Sequence, residues 1–345
     1  MVGLFMKKIG ILTGGADCPG LNSAIRAIVR KGIQEGYVIT GVKNGWLGLI
    51  DNDMKVLDLN QTSGILDRGG TLLGTSRINP LDDPGQIKKI EENYKRSGID
   101  ALIVVGGEVT LKVAVELYRR KVIKVIGIPK SIDNSLFGTD YAFGFDTAVN
   151  VATECIDRLH TTAESHHRIM VIEVMGRYTG WVALESGIAG GADIIMVPEV
   201  TVDIEEVCES LCRRHQRGKT FSIIVVAEGV QCKGHPEFNE VSGKKNRFGG
   251  VGESIAKAIE KETGYDTRVS VLGYIQRGGT PSAYDRIIGT RFGVHAVSLA
   301  KEEKFGQMVS LHHNVIQSVP IECAVEKRKT INMEIYNMAK VFFAE

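Results

Sequence analysis

The sequence predicts an α/β protein made of two doubly wound, Rossmann-like α/β/α domains with parallel-rich sheets. Three observations lead there. Short runs rich in valine and isoleucine recur along the chain, segments with helical spacing alternate with them, and 345 residues give a soft expectation of about two domains. Strands that are apolar throughout, alternating with helices, belong to parallel sheets covered on both faces.

Taken in order, residues 8–13 (KIGILT) read as a strand that ends at Gly14-Gly15. Pro19 and the periodic stretch 22–34 then read as a helix. Further strands are expected at 38–42, 101–105, 122–128, 168–174, 194–197, 222–227 and 268–272. Helices are expected at 86–97, 111–120, 148–162 and 204–217. No sequence repeat of fixed period is present.

Charge and composition exclude several classes of function. Lys plus Arg number 42 against 41 Asp plus Glu, so no whole-chain field is available to hold a nucleic acid or an anionic membrane. The longest apolar runs, 101–105 and 221–227, fall far short of the roughly 20 residues that span a bilayer. The opening Met1 to Phe5 is apolar but carries no charged n-region and no cleavage pattern. Six scattered cysteines fit reduced thiols better than a disulfide framework, and the expected location is the cytoplasm.

Ligands of open parallel sheets bind beyond the carboxyl ends of the strands, so the loops there carry the functional reading. Gly14-Gly15 before a helix can aim backbone N–H groups at an anion, or can simply make a tight turn. Gly69-Gly70 with Arg77, and Gly106-Gly107, favour phosphate. Arg77, Arg168, Arg177, Arg268 and Arg277 flank glycine loops or strand ends, which suggests a substrate with more than one phosphate. Asp133, within Ser131-Ile132-Asp133-Asn134, is placed like a carboxylate that accepts a proton from an attacking hydroxyl; an Asx turn explains it equally well. Glu108 can offer one oxygen to Mg²⁺ or can be an ordinary first-turn helix carboxylate. His166-His167 reads as a polar turn rather than a metal pair.

Five ordered motifs go further: GGADCPGLN at 14–22, RGGTLLGTSR at 68–77, PKSIDN at 129–134, TAESHHRIMVIEVMGR at 162–177 and GYIQRGGTPSAYDR at 273–286. With them the chain resembles the phosphofructokinases over nearly its whole length, and in particular the bacterial branch that holds both ATP-using and pyrophosphate-using members. The resemblance implies a glycolytic transfer of a phosphoryl group from pyrophosphate or ATP to the 1-hydroxyl of fructose 6-phosphate, with a slight lean to pyrophosphate. It makes Asp133 the base, with Ser131 beside it where the family usually has threonine. It assigns Met175, Gly176, Arg177, Glu228, Tyr274 and Arg277 to the sugar phosphate, and Arg168 and Arg268 to the same phosphate from a neighbouring subunit of a homodimer or homotetramer. Gly15, Ala16, Arg77, Gly107, Val109, Thr110 and Lys130 would line the donor, and Glu108 would hold Mg²⁺. It also implies that the smaller domain interrupts the larger, giving 1–144 plus 276–325 and 145–275 plus 326–345.

Four positions depart from the family pattern. Ala16 and Val109 stand where glycine (or, at 109, aspartate) is usual, Ser135 replaces the second aspartate of IDND, and Tyr274 replaces a histidine. Ala16 would carry about 1–2 kcal/mol of strain if its φ were positive. An alternative reading follows, in which the chain is a catalytically weakened paralogue that binds phosphosugars or regulates. An unrelated dinucleotide-binding dehydrogenase is disfavoured, because no G-x-G-x-x-G follows the first strand.

Overall fold

A computed structural model describes residues 7–235 and 250–343. The apolar opening Met1 to Phe5 lies outside the described residues. In chain order the elements are β1 (Lys8–Gly14), α1 (Leu21–Gln34), β2 (Val38–Val42), α2 (Trp46–Asp51), β3 (Met54–Leu57), α3 (Pro84–Ser97), β4 (Ala101–Gly106), α4 (Glu108–Arg119) and β5 (Val125–Pro129). There follow α5 (Phe145–His166), β6 (Ile169–Val174), α6 (Trp181–Ala189), β7 (Ile194–Met196), α7 (Ile204–Gln216), β8 (Ser222–Ala227), α8 (Val251–Thr263) and β9 (Thr267–Val271). The chain ends with α9 (Ala283–Lys301), β10 (Gln307–His312), β11 (Val315–Pro320), α10 (Cys323–Glu326) and α11 (Met333–Lys340).

The chain divides into two compact units. One comprises Met1–Thr147 and Arg277–Arg328, the other Ala148–Gln276 and Lys329–Glu345. The first unit holds a seven-stranded sheet in the order β11-β10-β5-β4-β1-β2-β3. Its interior pairings, from β10 through β5, β4 and β1 to β2, are parallel, while β11 and β3 close its edges antiparallel. The second unit holds four parallel strands, β7-β8-β6-β9. Both units are therefore parallel-rich α/β layers, as the alternating pattern predicts.

Local chemistry sets the element ends. Asp83 accepts from the Gly85 amide at 2.8 Å and Pro84 opens α3, an N-cap worth about 1 kcal/mol; left-handed Gly98 ends the same helix. Asp203 caps α7 in the same way, through Glu205 N. His167 has a φ of 55° directly after α5, so the histidine pair is a helix-ending turn before β6. Strands β4, β6 and β8 are buried along their whole length, and all six cysteines are free thiols. No described helix is long and apolar enough to cross a membrane.

In the first unit the strand order reverses direction at β1, whose neighbours are β2 on one side and β4 on the other. That is a topological switch point, where the loops leaving adjacent strands part and leave a crevice. Register places Gly14 beside Gly106, and Gly106 beside Pro129. The carboxyl ends of three consecutive parallel strands thus deliver Gly15, Gly107 and Lys130 side by side.

Candidate functional site

The two members of each glycine pair do different jobs. A Cβ on Gly14 or Gly106 would lie 2.6 or 2.4 Å from the buried Thr110 side chain, so these first glycines make room for a helix residue packed against two strand ends. Gly15 instead has a φ of +79°, and its amide donates to Ser76 O at 3.2 Å. A Cβ there would stand 3.2 Å from Thr110 Oγ1 and 3.8 Å from Lys130 Nζ. The turn therefore brings a hydroxyl and an ammonium to one spot at the end of β1.

Lys130 is buried and donates its ammonium to Ala16 O. Burial pushes it below the usual lysine range, with the Cys18 thiol opposing that shift. Cys18 is itself pushed up to about 12, chiefly by burial. Ala16 does not adopt a positive φ, so the strain expected from its Cβ is absent: the left-handed turn is taken by Gly15 alone.

At the end of β4, Gly107 is the N-cap of α4 and Glu108 its first residue. Glu108 thus satisfies the helix-carboxylate reading, and its two oxygens also accept from Arg328, at 2.9 Å from Nε and 3.2 Å from Nη2. Val109 is 61% exposed on the first turn, and Arg77 is exposed as well. Among the described residues no group of three or more His, Cys, Asp or Glu could hold a metal. A divalent cation would therefore need substrate oxygens and water to complete its shell, which suits the Mg²⁺ habit of keeping few protein ligands.

Beyond β5, Asp133 is half-buried, and its Oδ1 accepts from the hydroxyls of Ser131 and, at 2.9 Å, Ser135. Asn134 locks the loop: its φ is +47°, its Oδ1 accepts from Ala142 N at 3.2 Å, and its Nδ2 donates to Asp140 O at 3.3 Å. Sequence reasoning assigned no role to Asn134, although asparagine is among the few residues that tolerate the left-handed region. Arg277, also in this unit, donates from Nη1 to Asp17 O at 3.5 Å, while its Nε is buried with no hydrogen-bond partner among the described residues.

In the second unit, the loops after β6 and β8 meet backbone to backbone. Gly229 N donates to Gly176 O at 3.1 Å, and a Cβ on Gly229 would lie 2.0 Å from Arg177 O. Only glycine allows that approach, which sets Met175, Gly176 and Arg177 beside Glu228. Met175 N donates to Oε1 of buried Gln276 at 3.2 Å, and the Arg177 guanidinium lies 5.9 Å from the Tyr178 ring centre. Tyr274 is 72% exposed. Glu173, inside β6 just before that loop, is used structurally: it accepts from the Gly250 and Gly252 amides at the start of α8.

Arg168 and Arg268 lie elsewhere. Both stand at the amino ends of β6 and β9, where Ile169 pairs Thr267, whereas Met175 and Glu228 follow the carboxyl ends of β6 and β8. Six strand residues separate the two groups, about 20 Å. The sheet of one chain cannot bring them together.

Comparison with known proteins identifies the family. The family model "PFK: Phosphofructokinase" matches residues 8–300. The chain is 51% identical to a pyrophosphate–fructose 6-phosphate 1-phosphotransferase of Streptomyces coelicolor, covering 97% of this chain and 99% of the relative. It is 47% identical to the ATP-dependent 6-phosphofructokinase 2 of Clostridium perfringens, covering 97% of each. Among solved structures, Pichia pastoris phosphofructokinase in the T-state superposes with a TM-score of 0.82 at 31% identity, covering 98% of this chain and 36% of that longer one. With a matching family model over most of the length and relatives identical at half of their positions, the chain belongs to the phosphofructokinase family of phosphotransferases.

Proposed function

We propose that the protein transfers a phosphoryl group from pyrophosphate to the 1-hydroxyl of fructose 6-phosphate, giving fructose 1,6-bisphosphate, with Mg²⁺ assistance. The observation that carries this reading is the Asp133 carboxylate, oriented by two hydroxyls on a loop locked by Asn134. In that role Asp133 takes the proton of the attacking hydroxyl, and Ser131 and Ser135 hold the accepting carboxylate in one orientation. Gly15, Ala16, Arg77, Gly107, Val109, Thr110 and Lys130 serve the donor. The Lys130 side chain, buried near Gly15, serves as a donor to the diphosphate. Glu108 offers one oxygen to Mg²⁺, which neutralises charge on the transferred phosphate when bound. Met175, Gly176, Arg177, Glu228, Tyr274 and Arg277 serve the sugar phosphate.

Arg168 and Arg268 act on a neighbouring copy's substrate, a reading supported by their position at the amino ends of β6 and β9. The functional protein is accordingly a homo-oligomer, and its place of work is the cytoplasm. ATP is the second donor to consider, because a relative at 47% identity is named ATP-dependent. Nothing observed favours a weakened regulatory paralogue: Ala16 carries no positive-φ strain, and Ser135 binds Asp133. Coupled assays of fructose 1,6-bisphosphate formation with each donor and Mg²⁺ test the reading. Turnover with pyrophosphate supports it, and absence of turnover with both donors, alongside retained fructose 6-phosphate binding, overturns it.

A further inference from the structure

The amino ends of β6 and β9 hold an arrangement that the assigned roles do not explain. Arg168 Nε donates to Asp266 Oδ2, and Arg268 Nη1 forms an ion pair with Asp266 Oδ1 at 2.6 Å, so one carboxylate spans two guanidiniums with one oxygen each. Arg268 Nη1 also donates to Thr267 O at 2.9 Å and lies 3.7 Å from Glu260 Oε1. The backbone fixes the carboxylate's place, because Ile169 N donates to Asp266 O at 3.0 Å across the two strands. All three side chains remain open to solvent, at 33% for Arg168, 38% for Asp266 and 51% for Arg268. Pairs this exposed contribute little to stability. A purely structural reason for two arginines sharing one aspartate is therefore weak.

We propose that Asp266 is a positioning residue, which clamps Arg168 and Arg268 into one fork for the phosphate of a sugar phosphate held by a neighbouring copy. The inference rests on the reading of those two arginines given above. Two guanidiniums this close repel each other, and the carboxylate between them removes that repulsion. It takes one nitrogen from each, so both Nη groups of Arg168, and Nη2 and Nε of Arg268, have no hydrogen-bond partner among the described residues. Those remaining N–H groups form the forked, phosphate-matching array that arginine supplies when its rotamer is already fixed.

The test uses the intact oligomer and the variants Asp266→Asn, Asp266→Glu and Arg168→Ala. Asp266→Asn keeps the shape but loses the anion; it is expected to raise KM for fructose 6-phosphate at least about five-fold while kcat and the donor KM stay within about two-fold. Asp266→Glu is expected to recover most of the loss. An unchanged or lowered KM in Asp266→Asn would show that the carboxylate is neutral or a competitor, and the proposal falls. Inorganic phosphate binding by calorimetry keeps the result separate from the wider reading. If the wild-type protein turns over neither donor, the functional proposal fails on its own. Asp266→Asn must still lose the same phosphate-binding component that Arg168→Ala loses, and equal binding in Asp266→Asn and wild type overturns the positioning role.

Discussion

Single residues decide the proposed chemistry, and their surroundings say what each substitution should do. Asp133→Asn keeps the hydrogen-bonding shape of the loop but removes the proton acceptor, so kcat is expected to fall about 10²–10⁴-fold with fructose 6-phosphate affinity retained. A variant with full kcat removes Asp133 from that role. Ser135 donates to the Asp133 carboxylate at 2.9 Å, so Ser135→Asp puts like charge beside it. Activity should rise in that variant only if the added carboxylate would help hold Mg²⁺, which a Mg²⁺ titration of kcat/KM reads directly. Val109, exposed on the first turn of α4, is not a core residue. Val109→Gly should therefore cost only about 1 kcal/mol of helix stability while raising kcat/KM for ATP relative to pyrophosphate; an unchanged donor ratio ends the steric argument. The residues themselves were legible in sequence because the motifs are short and local. The partners of Glu108 and Arg168 were not: Arg328 and Asp266 lie 220 and 98 positions away and carry no local signature.

At the scale of elements, the apolar runs announced the interior strands, which are buried on both faces and need no alternation. The helix expected from residue 111 begins at Glu108, because a first-turn carboxylate and exposed valine give no apolar period. The edge strands β3 and β11, and β10 beside β11, went unread. β11 alternates exposed and half-buried residues, and β3 buries only Leu57, so neither shows an apolar run. The turn that leads into α5 has a device of its own. Asp285 is fully buried and accepts from Gly144 N at 2.8 Å, Thr147 N at 2.9 Å and Thr147 Oγ1 at 2.5 Å. Burial raises its carboxyl to about 6, with Asp146 adding in the same direction and the three donors opposing. Between the ordinary aspartate value near 3.8 and about 6, the folded state keeps a proton that the unfolded chain has lost. The Asp285 contribution is thus complete at low pH and declines as pH rises through 6, by up to about 1.4 kcal/mol per unit. Asp285→Asn mimics the protonated form, so urea midpoints of variant and wild type should diverge in the variant's favour from pH 4.5 to 7. A constant difference across that range would rule out the titration.

For the whole molecule, the second unit's sheet makes the strongest demand. Arg177 and Glu228 follow carboxyl ends of its strands, while Arg168 and Arg268 precede or begin them, and no rotamer spans a strand of six residues. If both groups hold one sugar phosphate, each site must draw on two copies related by closed symmetry, with each copy giving what it receives. That requirement makes mixing a sharper test than either single variant. Arg177→Ala should damage the near side of every site, and Arg168→Ala the far side. In a mixed oligomer, an Arg168→Ala chain supplies an intact Arg177 while its Arg177→Ala neighbour supplies an intact Arg168. Randomly mixed dimers should therefore regain wild-type fructose 6-phosphate KM at about a quarter of all sites, although neither parent has any such site. The regained fraction should appear only after the parents are dissociated and reassembled together. Mixtures that stay at the sum of the parental activities would mean that each chain binds its substrate alone, and Arg168 and Arg268 would then need a role at the amino end of their own sheet.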